Sequence, residues 1–285
     1  MTMKKGNHAN IRKPVVAGTF YPAGKAEIVR AFQEALDHEQ ERIAAHKKPA
    51  AIIGGVVPHA GIRYCGRQAV HFFELMRRSG LQPDTVVIAH PNHYGYGPGI
   101  SVGSHHAWET PLGTTEVDLE FADALQLAVS DNAQQQEHAA EVLLPWLQHF
   151  LVPGFKILPV NLMKQDHGTA AMLGERMYLE AARLGRRIVV LASSDFSHYL
   201  SPEVAAIRDA RVLEAILRRD PPGVMQAVYD HHVSVCGYGP VMALMEFARR
   251  QDADYKVRVL RKGHSGEITP SGRVVSYASV MMEMH

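Results

Sequence analysis

Four short, nearly unbroken apolar runs, at residues 52–57, 85–89, 155–160 and 188–192, have the pattern of strands buried on both faces. Between and around them, apolar positions recur at helical spacing. The first such stretch, 25–46, sets Ile28, Phe32 and Leu36 four residues apart. Further helices are predicted over 66–78, 119–129, 137–151, 169–184, 202–219, 224–229 and 241–251. Pro145 should bend or restart the helix at 137–151, and Asp220-Pro221-Pro222-Gly223 should stop the one at 202–219. Residues 255–262 and 274–280 read as a closing hairpin around a glycine-rich turn at 263–272. Ahead of the first helix, residues 12–22 mix turn formers with apolar anchors and should form an ordered arm against the body. The alternation predicts an α/β fold: one domain over residues 1–285, with a central, mostly parallel sheet flanked by helices.

Charge and cysteine content remove several function classes. Thirty basic against 29 acidic residues leave a net charge of +1, so no general electrostatic footprint for nucleic acid or an anionic membrane is present. The basic opening Met1-Thr2-Met3-Lys4-Lys5 is not followed by an apolar signal core, and no run approaches the roughly 20 apolar residues of a membrane span. A cytoplasmic protein is expected. Two cysteines exclude a disulfide framework, whereas 17 histidines raise the question of which ones work.

The strand ends single out a few of them. Residues 52–57 run into Pro58-His59-Ala60-Gly61, residues 85–89 into His90-Pro91-Asn92-His93, and residues 188–192 into Ser193-Ser194-Asp195-Phe196-Ser197-His198. In open α/β sheets such exits are where sites are built. His59, His93 and Cys236 together offer donors suited to borderline and soft metals, with coordination positions to spare. Cys236 precedes the helix predicted at 241, a position that favours a thiolate, although a small buried turn residue fits the pattern equally well. Cys65 has mostly apolar or small neighbours and reads as packing. Asp195 stands three residues before His198, close enough to orient the imidazole for acid/base work or to cap the turn instead. Ser193 and Ser194 lack the glycines of a nucleophile elbow, so their hydroxyls should serve as hydrogen-bonding groups. His138 and Glu141 share a predicted helix face, where they could add to the site, though a solvated face is the commoner meaning of that spacing.

In their order along the chain, Ala17-Gly18-Thr19-Phe20-Tyr21-Pro22, Val57-Pro58-His59-Ala60-Gly61, Pro91-Asn92-His93, Thr110-Pro111-Leu112-Gly113, Glu137-His138 with Glu141, Ser193 to His198 and Cys236-Gly237 resemble the Memo family, whose prokaryotic members are called AmmeMemoRadiSam system protein B. The resemblance implies a fold related to the class III extradiol dioxygenases, which use non-haem iron. It also implies a metal held by His59, His93 and Cys236, with Asp195 and His198 as catalytic residues and His138 and Glu141 in the pocket. Iron or copper is the implied ion, with zinc as the alternative. The implied activity is a metal-dependent, dioxygenase-like oxidoreductase acting on a small-molecule substrate, against a metal-assisted hydrolase or a non-catalytic peptide- or protein-binding module. The family name further implies partners from an AMMECR1-like and radical SAM system, and no nucleic acid or membrane. Three departures bear on the pocket, the first being Ile62, which stands where family members often have an aromatic residue. His93 is followed by Tyr94 where the family commonly has a second histidine, and Tyr238 and Gly239 replace the usual basic and histidine positions near Cys236.

Overall fold

The computed structural model describes residues 10–285, so the basic opening Met1 to Lys5 lies outside the described residues. The elements begin with β1 (Ile11–Arg12), α1 (Lys25–Ala44), β2 (Ile52–Val57), α2 (Ile62–Ser79), β3 (Thr85–Pro91), β4 (Ile100–Val102), β5 (Ala107–Thr110) and β6 (Gly113–Glu116). There follow α3 (Leu119–Ala124), β7 (Ala128–Val129), α4 (Asp131–Gln135), α5 (Leu144–Phe150), β8 (Lys156–Leu162), α6 (His167–Leu184) and β9 (Ile188–Ser193). The chain closes with β10 (His198–Leu200), α7 (Pro202–Leu217), α8 (Pro221–Asp230), α9 (Tyr238–Gln251), β11 (Lys256–His264) and β12 (Val274–Glu283).

Among the described residues, nine strands form the main sheet in the order β10-β12-β2-β9-β3-β8-β4-β7, with β11 also paired to β12. Its centre, β2-β9-β3-β8, is parallel throughout, as the unbroken apolar runs predicted. Antiparallel pairing of β12 with β2 and of β4 with β8 makes the whole sheet mixed. A small second sheet, β1-β5-β6, ties the start of the arm to the body.

Helices cover both faces of this α/β fold, α2 packing with α1 and α5 and α9 packing with α6 and α8. Gly54 and Gly55 in β2 permit the close approach. A Cβ on Gly54 would lie 2.7 Å from Leu244 Cδ1 of α9, and one on Gly55 would lie 2.2 Å from Phe72 Cε2 of α2. Under α2, Trp146 sits 4.0 Å from Phe32 and 5.3 Å from Phe73, ring centroid to ring centroid. Such aromatic pairs add about 0.5–1.5 kcal/mol each beyond their area burial.

Three local expectations are corrected. The stretch 137–151 is not one helix: Glu141–Leu143 is a single 3-10 turn, and the α-helix begins only at Leu144, with Pro145 in its first turn. Proline lacks the N–H that position leaves unused, so it starts this helix rather than bending it. Ahead of the turn, the Glu137 carboxylate accepts from the backbone N–H groups of His93 and Ala139. The helix predicted at 119–129 stops at Ala124, and Gln126 takes a positive φ of 50° on the way to β7. At the other extreme α2 starts at Ile62, four residues early, so Cys65 lies inside its first turn and is fully buried.

Candidate metal centre

Because β2, β9 and β3 are parallel neighbours, they release their chains at the same edge of the sheet. Val57 pairs with Ser193 and Ala89 with Ala192, so His59, Asp195 and His93 emerge side by side. Cys236 lies just ahead of α9. One donor atom from each of His59, His93 and Cys236 lies within 4.8 Å of the others. The sulfur is 3.3 Å from His59 Nε2, and the His59 and His93 rings meet nearly edge-on at 5.2 Å.

Hydrogen bonding fixes which nitrogen each imidazole presents. The Ser193 hydroxyl has one proton, and it donates to the Ala139 carbonyl at 2.7 Å. Its 2.8 Å contact with His59 Nδ1 must then run from Nδ1–H to the Ser193 oxygen, leaving Nε2 as a bare lone pair. His93 Nδ1 donates to Glu137 Oε1 at 2.9 Å, which frees its Nε2 as well. Burial pushes the Glu137 carboxyl up, but the hydrogen bond from His93 and the charges of His90 and His93 outweigh it, leaving a pKa of about 2. Burial, assisted by His138 and His93, drives the His59 pKa well below the usual histidine range and so favours the neutral ring a metal requires. A partner behind each ligand, fixing tautomer and direction, is the usual support of a metal-binding histidine.

Cys236 is held by the exit of β9. The Asp195 N–H points at its sulfur from 3.2 Å, and the next residue, Gly237, donates to Ser194 Oγ at 3.0 Å. Only glycine fits there, since a Cβ would lie 2.3 Å from the Ser193 carbonyl oxygen. The helix end was expected to favour a thiolate. Burial and the neighbouring Asp195 charge instead raise the thiol pKa, against the Asp195 N–H and the Ser194 hydroxyl. A cation beside the sulfur would supply the missing compensation.

The model of Memo-like proteins matches residues 12–281. A MEMO1 family protein of Methanosarcina acetivorans is 36% identical over 96% of this chain and 99% of its own length. One from Methanocaldococcus jannaschii is 38% identical over the same shares. The chain belongs to the Memo family. Among solved structures, the uncharacterized protein JW3007 of Escherichia coli K12 covers 74% of this chain and 91% of its own, at 13% identity and a TM-score of 0.49.

In this Memo-family chain the other predicted site residues separate. Asp195 does not hold His198. Its Oδ1 accepts from the N–H groups of His59, at 2.9 Å, and Ala60, at 3.3 Å, fixing the exit of β2. Burial raises its pKa to about 6, against the charge of His198 and those two N–H groups. His198 is oriented by Ser234, whose carbonyl accepts from Nδ1 at 2.8 Å and whose hydroxyl accepts from the His198 N–H at 2.8 Å. Its Nε2 is therefore the third lone pair of the set. His138 stacks on His93 at 4.6 Å, against Phe20 at 4.5 Å, and groups with His93 and Glu137 as a second donor cluster. Burial lowers its pKa to about 4.

Glu141 lies outside the cavity next to the donors and serves the arm. Its carboxylate accepts from the N–H groups of Val15 and Val16, from the Tyr21 hydroxyl at 2.8 Å and from Arg12 at 2.6 Å. Sequence reasoning passed over the supporting roles of Glu137 and Ser234. Glu137 stood in the quoted Glu137-His138 motif, whereas nothing local marked Ser234.

No helix among the described residues is long and apolar enough to cross a membrane.

Proposed function

We propose that this Memo-family protein binds one iron or copper ion through His59, His93 and Cys236 and carries out a redox step on a small substrate, with His198 as the acid/base group. The observation that carries the reading is the pair of imidazoles whose Nδ1 protons are committed elsewhere, so that both present Nε2 beside a sulfur. Imidazole with thiolate suits soft and borderline redox metals, and three protein donors leave positions open for another ligand. When bound, such an ion supplies one-electron redox chemistry and a place for an oxygen-bearing ligand.

The rest of the work falls to the chain's own residues. Ser193 and Glu137 hold the two imidazoles in direction, and Asp195 holds the backbone from which His59 projects. Ser234 keeps the His198 Nδ1 proton in place, so Nε2 is the atom that accepts a proton from a substrate hydroxyl and later returns it. Phe20 and Tyr277 line the cavity beside these groups.

The test is elemental analysis of protein purified anaerobically under reductant. About one equivalent of iron or copper per chain is expected, as for a three-donor site of this type, and Cys236→Ser or His93→Ala should abolish it. Failure to retain any redox metal stoichiometrically removes the basis of the reading. Zinc alone, with turnover indifferent to oxygen, would replace it with metal-assisted hydrolysis.

A further inference from the structure

A second cavity, of about 640 Å³, lies between the arm and the helices α1 and α2, a size that accommodates a small molecule. Phe20 lines both this cavity and the one beside the donors, but none of the metal donors lines it. The Ile62 N–H donates to the Phe20 carbonyl at 2.8 Å and so fixes the arm against α2 at the cavity's edge. Small residues line it from both helices, Ala31 and Ala35 from α1 and Gly66 from α2. A Cβ on Gly66 would meet side-chain atoms of Ile62, Trp146 and Ala35 at 3.5, 3.8 and 3.9 Å, which is ordinary contact, so helix packing would accept an alanine here. Glycine weakens a helix interior relative to alanine, and the space it leaves is open to the cavity. The charged groups on the wall are Arg63 and Arg67 of α2 and Glu34 of α1, while His38 directs Nδ1 to Glu39 at 2.9 Å. Farther along α2, Arg77 and Arg78 both pair with Glu74, at 2.6 and 2.7 Å. Arg63 and Arg67 have neither a carboxylate partner nor a hydrogen bond among the described residues, and their spacing sets them on one face of the helix. Two arginines against one glutamate leave this wall one positive charge in excess, with His38 neutral.

We propose that this cavity is a separate binding site for an apolar small molecule carrying one carboxylate, the carboxylate held by Arg63 and Arg67 and the apolar body covering Ala31, Ala35 and Gly66. The guanidinium fork matches the two oxygens of a carboxylate and is more weakly hydrated than an ammonium group. The apolar body removes hydrocarbon surface from water on both partners, a gain that a bare anion cannot make. One negative charge balances the wall, whereas a doubly charged phosphate ester would carry its surplus toward Glu34. No donor of the metal centre takes part, so this site and the function proposed above stand or fall separately.

Binding is measured by calorimetry and ligand-observed NMR on the full chain as purified. The probes are phenylhexanoate, phenylhexanol and phenylhexyl phosphate, each at up to about 1 mM and at about pH 7.5, where the carboxylate is singly and the phosphate almost doubly charged. The carboxylate should bind, the alcohol about tenfold more weakly, and the phosphate ester no tighter than the carboxylate. Arg63→Gln combined with Arg67→Gln should lower carboxylate affinity about tenfold and leave that of the alcohol within about twofold. Neither arginine is buried, so this double variant should fold normally, which its circular dichroism and melting curve check. Ala31→Trp, at a half-buried position, should fill the cavity and weaken carboxylate and alcohol alike, and it decides the location even if the arginine variant fails to fold. Ser271→Ala, at a position lining only the cavity beside the donors, should leave all three affinities unchanged. No binding of the carboxylate, equal binding of the alcohol, tighter binding of the phosphate ester, or a carboxylate affinity unmoved by the folded arginine variant or by Ala31→Trp would each overturn the proposal.

Discussion

Replacing Glu141 by Gln tests how the arm is attached. The carboxylate is fully buried and faces an Arg12 side chain only 3% exposed, so both charges rely on each other. Arg12 also donates to the carbonyls of Gln134 and Glu137, and its guanidinium lies 4.1 Å over the Trp108 ring. The amide keeps one acceptor oxygen but turns an NH2 group toward donors and leaves Arg12 without a counterion. Removing one partner of a buried pair costs about 3–5 kcal/mol, and the retained hydrogen bonds should place this variant near the lower figure. For a domain of this size that corresponds to a melting temperature lower by about 6 °C or more. Chemical denaturation and thermal melting both read it. The control is the double variant Arg12→Met with Glu141→Leu, which removes both charges and should recover much of the loss. A Glu141→Gln protein within about 1 kcal/mol of the original would refute the clamp, since a solvated pair is worth no more than that.

Other outcomes follow from the same geometry. Glu137→Gln should leave the fold intact and weaken metal binding by about 10–100-fold, read by competition with a chelator; unchanged affinity would mean that His93 does not depend on its carboxylate. Gly237→Ala should destabilise the chain and impair metal retention together, because its Cβ meets the Ser193 carbonyl at 2.3 Å; a melting curve unchanged by the substitution would contradict the tight approach. Part of the acid sensitivity should arise away from the site, at His71 and Glu39, which bond to each other at 3.1 Å. Burial holds the His71 pKa down at about 4, so its contribution is complete above the unfolded value of 6.5 and is lost as pH falls from there through 4. Burial raises the Glu39 carboxyl, but hydrogen bonds from His71 and His38 with the charges of Arg261 and Arg42 bring it to about 2, so its share is lost between 4.5 and 2. Urea unfolding of His71→Gln across that range should show a shallower decline between pH 6.5 and 4, and an unaltered slope would exclude His71 as its source.

What the sequence disclosed, it disclosed through period and position. The apolar run at 52–57 is β2 to the residue, and the ends of β2, β3 and β9 pointed at one edge because a parallel sheet must release its strands together. The 137–151 stretch misled because its apolar spacing is real, yet only the 3-10 turn Glu141–Leu143 and the helix Leu144–Phe150 form within it. Asp195 was assigned to the histidine nearest in sequence, although its oxygen finds backbone 136 residues away. Ser234 was invisible for the same reason, since only the fold brings it to His198, 36 residues distant. Local spacing reports local structure, and the supports of this site are almost all long-range.

Three consecutive residues at the end of β9 each steady a different part of the centre: Ser193 the His59 ring, Ser194 the Gly237 backbone, Asp195 both the β2 exit and the Cys236 sulfur. Strand β9 also lies between β2 and β3, the strands that carry the two histidines. A chain emerging from the ribosome therefore exposes His59 and His93 long before either has its final neighbour, and their sulfur partner follows His59 by 177 residues. The complete donor set therefore exists only once β9 has been inserted between β2 and β3, and a metal bound as proposed would report on that step of assembly.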